Sequence, residues 1–86
     1  MEIDSVEKVN AEIASLRARG FNRDAIELVK ATTSEIPDPE YRVILLVQGL
    51  IAAQALKDVA EAREFASAII AIDPGVPSAR RALGLS

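Results

Sequence analysis

Residues 43–56, VILLVQGLIAAQAL, decide the fold because they run for fourteen residues without a charge in a chain that is 27% charged. Only Gln48 and Gln54 place polar side chains in this stretch. A helix that is apolar all round must be covered on more than one side. The stretch therefore predicts a central helix, with helical hairpins packed before and after it. Gly49 inside it costs about 1 kcal/mol against alanine, which indicates that another helix approaches closely there.

The 86-residue chain contains no cysteine and no histidine, and only 3% of its residues are aromatic. It therefore lacks thiol chemistry and the commonest general base and metal ligand. Paired carboxylates are available, for example Glu35 with Asp38 and Glu61 with Glu64. Both pairs have the positions of capping and surface charges, whereas catalytic carboxylates need burial to shift their pKa. We expect a single domain that is not an enzyme and uses no metal or cofactor.

The chain is acidic, with a net charge of −3 and an isoelectric point near 4.9. Nucleic-acid binding depends on neutralising phosphates with Lys and Arg, so an acidic chain without a basic run is a poor candidate. The central apolar stretch is shorter than the roughly 20 residues that span a bilayer. Residues 1–10 carry acidic groups and no apolar segment, which is unlike a signal peptide. These features predict a cytoplasmic protein that binds neither nucleic acid nor membrane.

Two proline-containing breakers divide the chain, one at residues 37–39 and one at residues 73–77. Apolar residues at helical spacing lie before, between and after them, and no stretch alternates with the period of a strand. The predicted elements are a hairpin over residues 5–35, a hairpin over residues 39–72 and a capping helix over residues 77–84.

Residues that favour helix ends stand at the boundaries of these elements. The expected N-terminal caps of the first four helices are Asp4 or Ser5, Asn22, Asp38 and Asp58. Gly20 follows the first helix, where a left-handed C-terminal cap requires a glycine. Because only a short turn then separates the first two helices, they are expected to pack antiparallel.

The two hairpins share a sequence pattern at a fixed spacing. The segment AIELVKATTSEIP ends at Pro37 and the segment AREFASAIIAIDP ends at Pro74, which is 74 − 37 = 37 residues later. Helix–turn–helix units that recur at a period in the thirties are typical of helical solenoids. We therefore expect each hairpin to be one unit of a stacked array.

This pattern resembles the tetratricopeptide-repeat family, whose units carry a Leu-Gly pair in the first helix and A-x-x-x-F with a closing proline in the second. Besides the two prolines, the matching positions are Gly49, Leu83-Gly84, Ala25 with Val29, and Ala62 with Ala66. The resemblance implies an all-α, right-handed array of two antiparallel hairpins plus a short C-terminal capping helix.

In the tetratricopeptide family the first helix of each hairpin lines a concave face, so the resemblance also implies a groove. Its register implies a lining of Asn10, Ala14, Arg17, Val43, Leu46, Leu50, Ala53 and Arg81. An apolar centre with polar rims suits an apolar helix or extended segment of a partner protein. The expected function is a non-enzymatic protein–protein interaction module, similar to the small tetratricopeptide-like secretion chaperones.

Two alternatives stay open for residues 43–56. They can form a structural homo-oligomerisation surface, or they can be plain core that the rest of the chain covers. A monomer in solution favours a foreign partner, and a dimer weakened by Leu46→Glu favours self-assembly. A monomer that Leu46→Glu unfolds favours the core.

Overall fold

A computed structural model describes residues 3–85, and these residues form five α-helices and no strand. In chain order the helices are α1 (Ile3–Ala18), α2 (Asn22–Thr33), α3 (Pro39–Ala55), α4 (Val59–Ile72) and α5 (Pro77–Ala82). The predicted all-α class is confirmed, and helix ends differ from the predicted ones by no more than about two residues. No helix in this part of the chain combines the length and the apolar character needed to cross a membrane.

Helix α3 is the centre of the fold, because it contacts all four of the other helices. It packs most extensively on α2 and α4 and less extensively on α1 and α5. The prediction of a central helix covered by the segments before and after it is confirmed. The core is built almost wholly from aliphatic side chains, and its largest fully buried members are Ile13, Ile26, Val29, Leu45, Leu50 and Ile69.

The ring of Phe65 on α4 fills the space beside Gly49 on α3. A Cβ atom at position 49 would lie 2.5 Å from Phe65 Cε1, which is closer than Cβ contacts in proteins come. Phe65 is itself buried, with 4% of its surface exposed. The predicted close approach at Gly49 is confirmed, and the approaching group is the α4 aromatic ring.

The turns that end α1 and α3 have the same geometry. The N–H groups of Gly20 and Phe21 donate back to carbonyls of α1, and those of Lys57 and Asp58 donate back to carbonyls of α3 in the same pattern. Gly20 has φ 83° and Lys57 has φ 57°, the left-handed conformation that closes such turns. Because these positions are 57 − 20 = 37 residues apart, the hairpin turn recurs at the spacing of the sequence pattern.

Side chains cap the N-termini of α3 and α4 as expected. Asp38 Oδ1 accepts a hydrogen bond from the backbone N–H of Glu40 at 2.9 Å. Asp58 Oδ1 accepts one from the backbone N–H of Glu61 at 3.1 Å. Each bond satisfies a helix-terminal donor that has no partner within the helix, so both predicted caps are confirmed.

The predicted caps of the first two helices are wrong. Helix α1 already includes Asp4 and Ser5, and residues 1–2 before it lie outside the described part of the chain. Phe21 precedes α2, and its side chain makes no capping hydrogen bond. Its N–H instead closes α1 by donating to Leu16 O at 2.8 Å. That closing turn leaves Asn22 as the first residue of α2 and not as its cap.

Candidate functional site

One face of α3 is left uncovered by the other helices, although six of its residues are buried in the core. Ile44 is 45% exposed and Ile51 is 38% exposed, while Val47 between them is partly buried. Residues spaced i, i+3 and i+7 lie on one face of a helix. We call Ile44, Val47 and Ile51 the outer stripe. It is a row of aliphatic side chains on the helix that is otherwise most enclosed by the fold.

The groove residues expected from α3 are not on this stripe. Leu46, Leu50 and Ala53 are buried in the core, and Val43 is only partly exposed. The prediction that they line an open groove is therefore wrong for the three buried residues. The exposed residues Ile44 and Ile51 each lie one position after a predicted residue, Val43 and Leu50. One position along a helix rotates the side chain by about 100° around the helix axis.

The position of Gly49 in the sequence could have indicated which face of α3 is exposed. A glycine kept in a helix interior points at a closely packed neighbour, and Gly49 does point at Phe65. Residues two positions before and after it, Val47 and Ile51, lie about 200° away around the helix. They are therefore on the opposite side from the closest packing partner, which is where the structure leaves α3 exposed.

A polar network borders the outer stripe on the side of α1. Gln48 Nε2 donates to Asn10 Oδ1 at 3.0 Å, and Arg17 Nη1 donates to Gln48 Oε1. All three side chains are partly buried, as is Ala14 one turn beyond Asn10. The structure thus brings two predicted site residues, Asn10 and Arg17, onto one α3 side chain. In the sequence Gln48 is only a polar interruption of the apolar run, so its role as the link between Asn10 and Arg17 was not predicted.

A cleft at the N-terminal end of the stripe carries two carboxylates. It encloses about 500 Å³ and is lined by Pro39, Glu40, Val43, Ile44, Ile72 and Asp73. Glu40 and Asp73 are both exposed. Ile44 belongs to the outer stripe and also lines this cleft, which we call the acidic cleft. The stripe therefore leads into the acidic cleft. The remaining walls are aliphatic, so the cleft can hold an apolar side chain with a cationic group beside it.

A second cleft lies at the C-terminal end of α3 and carries two cations. It encloses about 320 Å³ and is lined by Gln54, Lys57, Asp58, Val59, Ala62, Arg63 and Ala82. Gln54 lies three residues after Ile51, so this basic cleft continues the line of the stripe. Lys57 and Arg63 are exposed. Val59, which is 69% exposed, adds an apolar wall.

The predicted site residue on α5 lies apart from the outer stripe. Arg81 is exposed and lines a cleft of about 350 Å³ with Gly75, Pro77, Arg80 and Leu85. No α3 residue lines that cleft. The structure therefore does not join Arg81 to Asn10 and Arg17 in one site.

Two ion pairs connect α2 with the start of α4. Arg23 Nη2 lies 3.2 Å from Asp58 Oδ2, and Lys30 Nζ contacts Glu61 Oε1. The polar contact with Glu61 raises the pKa of Lys30, in spite of some desolvation. The backbone N–H of Glu61, followed by the Arg23 side chain, lowers the pKa of Asp58. Each group is held more firmly in its charged form, which suits a link between helices.

The exposed face of α3 is thus the surface on which several independent features meet. Within residues 3–85 no group of three or more acidic side chains is placed to hold a metal ion. No family model, curated protein or solved structure matches this chain.

Proposed function

We propose that this protein is a non-enzymatic protein–protein interaction module that binds an apolar helix or segment of a partner along the outer stripe of α3. One observation carries the proposal. Ile44 and Ile51 are 45% and 38% exposed on the helix that is otherwise most enclosed by the rest of the fold. Scattered apolar residues on a surface are ordinary, but a row at i, i+3 and i+7 is the pattern that a helix in a groove uses.

The borders of the stripe support the same proposal. The network of Asn10, Gln48 and Arg17 holds α1 beside it, and clefts open at both ends. An apolar centre with a polar rim is the usual anatomy of a binding patch. The β-branched side chains of the stripe have few rotamers, so they lose little conformational entropy when a partner covers them.

We further propose that the fold is a tetratricopeptide-like, right-handed array of two antiparallel hairpins capped by α5. Support comes from the resemblance in sequence and from the hairpin turn that recurs 57 − 20 = 37 residues apart. In such an array the first helices of the hairpins line the binding face, and α3 is one of them. Shielding an apolar helix of a partner would give the protein a chaperone-like role in the cytoplasm.

A second candidate is homo-oligomerisation through the same stripe. Ile44 and Ile51 stand symmetrically about the middle of the stripe, so two copies of α3 can pack antiparallel with each isoleucine against the other copy's. Such self-complementarity is what a two-fold interface requires. However, a stable interface uses about 20–30 residues per side, and the stripe offers three apolar side chains. A short foreign helix therefore fits the surface better than a second copy.

Peptide titration tests the proposed function. The probe is an alanine-based amphipathic helix of about 16 residues, long enough for helix formation in water, with leucines on one face. Titration into isotope-labelled protein should shift the NMR signals of Ile44, Val47 and Ile51 more than those of the buried Leu50. The Ile51→Glu variant should lose binding and still unfold cooperatively, because this side chain is partly exposed.

The matched control is Ala31→Glu, which adds the same charge at an exposed position of α2. It should bind the peptide as the wild type does. Signals that shift elsewhere, or binding that Ile51→Glu leaves intact, would overturn the proposal. Sedimentation of the free protein completes the test, since a dimer that Ile51→Glu dissociates would favour the second candidate. Leu46→Glu cannot serve here, because Leu46 is core and its substitution would unfold the chain.

A further inference from the structure

We propose that the outer stripe selects the direction of its partner. The occupant is an amphipathic helix that runs antiparallel to α3, with acidic residues at its N-terminal end and basic residues at its C-terminal end. This inference rests on the proposed function and adds the chemistry and orientation of the partner. It is carried by the opposite charges of the clefts at the two ends of the stripe.

At the N-terminal end of α3, the acidic cleft offers two exposed carboxylates around an aliphatic floor. Glu40 lies in the first turn of α3, and Asp73 follows the last turn of α4. Asp73 Oδ1 accepts the N–H of Gly75 at 2.9 Å, which leaves its other oxygen for a partner. No Lys or Arg lines this cleft. An arginine or lysine at the end of a partner helix would therefore meet complementary charge here.

At the C-terminal end of α3, the basic cleft has the opposite balance. Lys57 and Arg63 line it, and the single carboxylate among its lining residues is Asp58. That carboxylate is already engaged, because it pairs with Arg23 and accepts the N–H of Glu61. The two cations are then left to face a partner. A glutamate or aspartate at the end of a partner helix would be favoured there.

The length of the outer stripe sets the length of the partner helix that it can bind. Ile44 and Gln54, which lie in the acidic and basic clefts, are ten residues apart, or about 15 Å along a helix. A partner helix of roughly three turns spans that distance with apolar residues at i, i+3 or i+4, and i+7. Helices are more stable with acidic residues in the first turn and basic residues in the last. Such a helix matches both clefts only when it runs antiparallel to α3.

The test compares two synthetic peptides, both alanine-based helices of about 16 residues with the same leucine face. One carries glutamates in its first turn and arginines in its last turn, and the other has these charges exchanged. The ratio of their dissociation constants is measured for the wild type and for a charge-altered variant. That variant combines Glu40→Lys and Asp73→Asn with Lys57→Glu and Arg63→Glu. Comparing ratios between proteins cancels the difference in helicity between the peptides.

The wild type should prefer the peptide with the acidic first turn, and the ratio should fall by about tenfold in the charge-altered variant at low salt. Raising the salt concentration should shrink this preference, because exposed charge pairs are screened. Asp73→Asn keeps the oxygen that accepts the Gly75 N–H, so the end of α4 is preserved. Thermal unfolding of the variant verifies that it is folded.

Three results would overturn the inference, and they separate it from the proposed function. An unchanged ratio, with both peptides weakened by Ile51→Glu, means that the stripe binds helices without selecting direction, so only this inference fails. No binding of either peptide at millimolar concentration overturns the proposed function with it. A dimer in sedimentation that Ile51→Glu dissociates identifies a second copy of the chain as the occupant.

Discussion

The inner and outer faces of α3 carry the same kinds of side chain but have opposite surroundings. On the inner face, Leu45 and Leu50 are fully buried and Gly49 lies against the ring of Phe65. On the outer face, Ile44 and Ile51 remain more than a third exposed. The apolar character of a residue therefore does not separate the side chains that hold the fold from those that are free to bind.

The difference lies in which neighbours reach each face. Helices α2 and α4 pack extensively on α3, whereas α1 and α5 contact it less. Burial of a large aliphatic side chain stabilises a fold by about 1.5–3 kcal/mol relative to exposure. Inner-face residues have contributed that free energy already, while outer-face residues can still contribute part of it to a complex. Substitutions on the two faces should accordingly change different measurements.

The greatest difference is expected between truncations of two adjacent residues, one buried and one exposed, which lie about 100° apart around α3. Leu50→Ala should lower the free energy of unfolding by about 3 kcal/mol, because it leaves a cavity at a fully buried site. Ile51→Ala should cost about 1 kcal/mol or less, since much of that side chain is in water already. Urea unfolding of both variants measures the difference. Equal losses would mean that the two faces do not differ as described.

A smaller effect is expected at the tightest contact of the inner face. Gly49→Ala should destabilise the protein by about 1–2 kcal/mol, because overpacking against Phe65 outweighs the gain in helix propensity. The same substitution in a Phe65→Leu background should be neutral or stabilising, since the smaller side chain makes room. Chemical unfolding of the four proteins closes a double-mutant cycle. A cycle without coupling would show that the ring does not limit position 49.

The polar border of the outer face offers a third comparison, between the two glutamines of α3. Gln48→Ala should cost about 1 kcal/mol, because it removes the link between Asn10 and Arg17. Gln54→Ala is the matched control on the same helix, and its exposed side chain should contribute little. Thermal unfolding measures the change in stability for each of the two variants. Equal effects would argue that the network does not hold α1 beside the stripe.

The smallest effect concerns pH and does not involve residues 43–56, because they have no titratable group. The pKa of Asp58 is lowered in the folded protein, chiefly by the Glu61 N–H and then by Arg23. Its stabilisation is therefore complete above the ordinary pKa of 3.8 and is lost as pH falls through the lowered value. Asp58→Asn keeps a capping oxygen and removes the charge.

The unfolding temperatures of the wild type and Asp58→Asn should therefore converge between about pH 6 and about pH 3. Other carboxylates titrate in both proteins, so the difference between the two isolates Asp58. A difference that stays constant across this range would contradict the lowered pKa. The aliphatic packing around Leu50 should be unaffected in either case.

Much of the fold could be predicted from local features of the sequence. Proline-containing breakers, Asp38 and Asp58 as caps, and Gly20 as a left-handed end all act within a few residues of chain, and the structure shows each of them. Lys57 shows the limit of such reasoning. It adopts the same left-handed conformation as Gly20, which its residue type does not favour, because the hairpin turn requires that conformation at the end of α3.

Less of the candidate site could be predicted. Asn10 and Arg17 were identified as groove residues, and the structure places both at the border of the outer stripe through Gln48. From α3, Leu50 was expected in an open groove, but it is buried, whereas the next residue, Ile51, is 38% exposed. When a helix is apolar on every face, the spacing of its apolar residues does not show which face is buried. An error of one position then rotates the predicted face by about 100°.

Local features of the amino-acid sequence are enough to predict that this protein is all-helical, where most of its helices begin and end, and that residues 43–56 need cover on more than one side. Those properties follow from caps, breakers and hydropathy, which act locally along the chain. Which face of α3 stays exposed is instead set by tertiary packing, because it depends on how closely Phe65 approaches Gly49 and on where α1 and α5 stop covering the helix. Exposure is a property of neighbours that are distant in sequence, and the hydropathy of residues 43–56 does not encode it.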